Sequence, residues 1–175
     1  MPAVRKMLGS ATSPYIVSLM RAIETQSVHT IATWATAYAR EQLLPIFEAA
    51  FAQDARPRQA LDAAQAYLRG ECKLADAKKS LRTAQTAAQE AAAIPAAQAA
   101  ARAVFAAASA IHTPTFGLSL AFYGTAALAY ARVGLHESTE TYDRIAAEEC
   151  ARMEAALRAV SVEDEPNPAK IDWGC

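Results

Sequence analysis

The chain has 175 residues and carries a net charge of −1, with 17 basic against 18 acidic side chains. Hydrophobic residues make up 53%, alanine foremost, with only 6 glycines and 8 prolines. Alanine is the best helix former and is depleted from strands, so an all-β fold is excluded and one all-helical domain is expected.

Ser13-Pro14 opens a first helix that runs to about Thr25. Ser27 caps a second, on which Ile31, Trp34, Ala35, Tyr38 and Gln42 share one face at helical spacing. Pro45 lacks an N–H and clashes with the carbonyl four residues back, so this helix kinks or restarts there. Ile46, Phe47, Ala50 and Phe51 continue the apolar face. Asp54-Ala55-Arg56-Pro57 signals the start of a third helix. It sets Ala60, Leu61, Ala64, Tyr67 and Leu68 on one side and stops at Gly70.

The fourth helix spans about Lys73 to Ala93, with Leu74, Ala77, Leu81, Ala84 and Ala88 inward and Lys78, Lys79, Arg82 and Gln85 outward. Ile94-Pro95 breaks it, because a residue before proline resists the helical region. The fifth, about 95–111, is nearly pure alanine with Val104, Phe105 and Ile111. The sixth, about 114–133, reads as capped by Thr113, with Pro114 in its first turn. It is apolar nearly all round, which marks a buried helix. Gly134 ends it, and Ser138 caps a last helix with a stripe of Tyr142, Ile145, Cys150 or Met153, Leu157 and Val160. The expected architecture is an all-α single-domain bundle of about seven helices with short loops over residues 1–160. An extended acidic C-terminal tail, 161–175, follows and is flexible unless Ile171 and Trp173 dock on the bundle.

Chemistry is sparse. The balanced charge removes the basic field that draws nucleic acid, so none is expected as a partner. The uncharged stretch from Ala103 to Ala131 is long enough to span a bilayer, but His112, Pro114 and Gly117 divide it into two helices, and no membrane span is expected. Cys72, Cys150 and Cys175 are odd in number and lack C-x-x-C spacing, so neither a disulfide framework nor a zinc site is indicated, and the reading is cytoplasmic. The histidines, His29, His112 and His136, form no E-x-x-H or H-x-x-x-H pair, so no metal is assigned. Gly117-Leu118-Ser119-Leu120-Ala121 lies inside a helix rather than on the strand-to-helix turn of a nucleophile elbow. No catalytic residue and no cofactor is assigned.

Arg56-Pro57-Arg58 is the sharpest polar feature. Two guanidiniums near a helix N-terminus suit a carboxylate or phosphate. The preferred reading is structural: Asp54 pairs with them locally and fixes the helix start.

These residues also carry a likeness. His29, Trp34, Ala39-Arg40, Leu44-Pro45, Phe47-Glu48, Asp54, Arg56-Pro57-Arg58, Ala60-Leu61 and Arg69-Gly70-Glu71 form one ordered block, and Ala110-Ile111-His112, Ala121, Tyr123 and Ala126 a second. Over roughly 29–131 the chain resembles the alanine-rich, immunity-protein-five-like family of bacterial helical proteins. It departs from that pattern at Tyr67, where the family usually has Trp, and at Phe116, where a second His often follows His112. The resemblance implies a small intracellular protein that binds and blocks a toxin. The leading reading is therefore a protein-binding module without enzymatic activity, its candidate binding residues being Asp54, Arg56, Arg58, His29, Trp34 and His112. Two alternatives stand beside it. One is an enzyme or small-ligand binder with an inter-helical pocket lined by His29, Trp34, Arg56 and His112. The other is a homo-oligomeric scaffold joined through its alanine faces.

Overall fold

Prolines and hydroxyl caps set where the helices begin. Proline stands in the first turn of the helices that start at Pro14, Arg56 and Pro95, where its missing N–H costs no intrahelical bond. Ser27 and Ser138 accept from the backbone N–H groups of Thr30 and Thr141. In the computed structural model, which describes residues 3–174, these signals produce seven helices and, among those residues, no strand. They are α1 (Pro14–Glu24), α2 (28–50), α3 (Arg56–Leu68), α4 (Leu74–Glu90), α5 (Pro95–Ser109), α6 (Phe116–Val133) and α7 (Thr139–Val160). Cys175 lies outside the described residues.

α2 runs on through Pro45 by way of a wide turn. Val28–Tyr38 is α-helical, Ala39–Leu43 is π-helical, and Leu44–Ala50 resumes the α-helix. The Leu44 N–H reaches back five residues to the Ala39 carbonyl, so the extra residue is absorbed just before the proline. Ala39, Leu43, Leu44 and Phe47 face the core along the wide turn and beyond it, and Gln42, the polar member of the face read from the sequence, is exposed. At the far end of α3, Gly70 takes φ +75°. The Gly70 and Glu71 N–H groups then close onto the Tyr67 and Ala66 carbonyls.

Two further expectations need correction. α6 begins at Phe116, not at Pro114, because Thr113 and Pro114 form a separate tight turn in which the Phe116 N–H donates to the Thr113 carbonyl. The Thr113 hydroxyl pairs with Nδ1 of His112 at 2.6 Å instead of capping the helix. Val160, placed on the buried stripe of α7, is exposed at the helix end.

α5 and α6 form the centre and pack most extensively on each other. Alanines 97, 100, 101, 103, 107 and 108 of α5 are buried, so small side chains separate it from α2, α3, α4 and α6. Gly124 has the same effect on α6: a Cβ there would stand 2.9 Å from Met153 Cε and 3.2 Å from Leu43 Cδ1. α4 lies on the outside, against α3 and α5, and α1 packs on α7. Among the described residues no helix is long and apolar enough to cross a membrane.

The chain beyond α7 returns to the end of α1. The buried Gln26 amide donates to the Val162 carbonyl at 3.1 Å and accepts the Val162 N–H at 2.8 Å. The Ala169 N–H donates to the Gln26 carbonyl, and the Trp173 indole donates to Glu24 at 2.6 Å. Ile171 and Trp173 are half-buried against the core.

Candidate functional site

The polar cluster at the start of α3 is closed on itself. Asp54 accepts the Arg56 backbone N–H and takes both arms of its guanidinium, Nε at 2.9 Å and Nη2 at 2.7 Å. Arg56 Nη2 also reaches Glu90, at the end of α4, at 2.6 Å. Arg58 forks onto Glu48 of α2 at 2.8 and 2.6 Å. The Arg56 hydrogen bonds hold the Asp54 carboxyl below its usual range, against a smaller effect of burial. This ring ties α2, α3 and α4 together and leaves both guanidiniums engaged within the chain.

The other sequence candidates are scattered. Trp34 is a core residue, 3% exposed, whose indole N–H donates to the Met153 carbonyl at 3.0 Å. His29 is exposed at the rim of a hollow with Thr33, Gln65 and Arg69, between α2 and α3. His112 is exposed in the α5–α6 loop and belongs to a different hollow. The pocket expected from His29, Trp34, Arg56 and His112 is therefore not assembled. Helix spacing shows which residues share one helix face, but not which faces of different helices meet.

The His112 hollow is the notable one. Along α4, Lys78, Arg82, Gln85 and Gln89 recur at helical spacing and form one wall. Phe105 of α5 and Phe116 of α6 form the floor, ring edge against ring face at 5.8 Å. Two adjoining hollows, of about 250 and 410 Å³, share Gln85, Phe105 and Phe116 and make one groove. At the second end Arg102 stands 5.9 Å from the centre of the Tyr123 ring. Burial, and then Lys78, push the His112 imidazole below its ordinary value.

Charge pairing singles this groove out. Every arginine outside it makes an ion pair; among the described residues Arg82 and Arg102, both lining it, make none, and neither does Lys78. Among the described residues no carboxylate lines either hollow. The Ser109 hydroxyl, at the groove and 1% exposed, is the one buried side-chain polar atom without a partner among the described residues. Sequence reading found the α4 wall as an outward face. It missed Arg102 and Tyr123 because they come from helices read as core, although a lone arginine in an alanine helix was a signal.

Fold and groove together define an all-α bundle with one open, basic and aromatic cleft on its side. A family model described as Imm-5 like putative immunity protein matches residues 21–156. The chain belongs to that family, and the matched span encloses the two blocks that carried the resemblance. No curated protein and no solved structure matches it.

Proposed function

We propose that the chain is a bacterial cytoplasmic immunity protein that binds a toxin and neutralises it, without catalysing a reaction. The family match over residues 21–156 carries this reading. The disposition of polar groups supports it. Asp54, Arg56 and Arg58 are engaged in holding three helices together, and the histidines stand apart. The two arginines without an ion pair among the described residues, Arg82 and Arg102, line a single open surface together with Lys78, the arrangement of a docking face rather than a closed reaction chamber.

The test has two stages. A tagged copy is used to capture its partner from the native lysate, and the partner is then expressed alone in a host cell. The expected result is growth arrest by the partner and recovery when this chain is co-expressed. A partner that is harmless alone, or that still arrests growth beside this chain, defeats the reading.

A further inference from the structure

The groove beside α4 combines three things that a protein normally keeps apart: unpaired cations, half-buried aromatic rings and a buried hydroxyl with nothing to bond. We propose that it docks an acidic segment of the protein partner, and this rests on the immunity reading above. Carboxylates of that segment pair with Lys78, Arg82 and Arg102. An apolar side chain of the segment seats on Phe105 and Phe116.

Complementarity selects the occupant. An arginine on a helix surface ordinarily finds a carboxylate within its own chain, as all the others here do, and a guanidinium fork matches a carboxylate closely. Leaving Arg82 and Arg102 without one, on a surface lacking acidic side chains, keeps their donors available for carboxylates from outside. Arg102 is held in place by the Tyr123 ring, which orients a cation without neutralising it. A basic and aromatic groove also suits single-stranded nucleic acid. That occupant is disfavoured here because the whole molecule carries a charge of −1, and the groove offers a short row of cations rather than a track along a polyanion.

The probe is a synthetic peptide of glutamates around a central phenylalanine, titrated into the intact 15N-labelled protein. Amide shifts are expected to cluster around Arg82, Arg102, Phe105 and Phe116. They should be lost with a lysine peptide, and binding should weaken at least tenfold in Arg82→Glu and Arg102→Glu. Thermal melting of Arg82→Glu should match wild type, because its side chain is exposed and holds no ion pair, and Arg102→Glu should melt only slightly lower, having lost its contact with the Tyr123 ring. Shifts that are absent at millimolar peptide, that fall elsewhere, or that are reproduced more strongly by an oligothymidine overturn the proposal. The same variants then enter the growth assay. If wild type restores growth and the charge-reversed variants do not, the groove is the toxin-docking face. If both restore it, the docking proposal fails and the immunity reading stands. If wild type itself fails, the immunity reading falls and the peptide titration alone decides the groove.

Discussion

Trp34 places a polar N–H in the core and satisfies it on the Met153 carbonyl, which links α2 to α7. Trp34→Phe keeps most of the ring volume and loses that bond, so it should cost about 1–2 kcal/mol. Trp34→Ala also opens a cavity and should cost about 3–5 kcal/mol. Urea unfolding of the two variants measures the difference; a negligible cost for Trp34→Phe would show that the indole bond contributes nothing, and equal costs that the cavity adds nothing. Cys150 gives a second test at this scale. Burial pushes its thiol up to about 12, and its Sγ–H donates to the Tyr15 carbonyl. The nucleophilic thiolate is therefore nearly absent at neutral pH. In variants retaining one cysteine each, the half-buried Cys72 should react with a maleimide much faster than Cys150. Comparable rates would mean that the α1–α7 contact opens readily.

Individual elements show what sequence logic can and cannot reach. Proline and serine signals place most helix starts, because capping is a local competition among backbone donors. The start of α6 escaped it: Thr113 had a nearer partner in His112, and a side chain that can bond in two directions does not announce which it takes. The wide turn before Pro45 was half-legible, since proline forbids an ordinary helix without dictating the repair. The cleft was less legible than the helices, because it is made by three elements that meet only in the folded chain. The segment after α7 also depends on tertiary contact. Its indole bond to Glu24 is the first cause holding that carboxyl below its ordinary value of 4.5. A lowered folded value makes the contact stabilising above pH 4.5, and the stabilisation is lost as pH falls through the folded value. Wild type should therefore be more stable than Glu24→Gln at pH 7, with the gap closing below pH 4.5. A gap that persists under acid would mean that Glu24 acts through something other than its charge.

For the whole molecule, the organising fact is a centre built from the smallest side chain that still favours a helix. α5 sits between α2, α3, α4 and α6 with alanine on almost every contact. Ala103→Leu or Ala107→Leu, both at fully buried positions, adds volume where neighbouring backbones are already close. Each should cost about 1–3 kcal/mol or more, measured by chemical denaturation. A near-neutral result at both sites would mean the centre holds unrecognised space. The alanine centre also shapes how this fold is built and how it can change. Alanine has no rotamers to freeze, so ordering these residues carries almost no side-chain entropy cost. Little bulk is present to be lost by truncation, so the usual weakness of a protein interior, the hole left by a shortened side chain, is replaced by its opposite. Sequence drift at the centre of this bundle is bounded by growth, while its outer helices, α4 among them, remain free to exchange side chains and to be fitted to a changing partner.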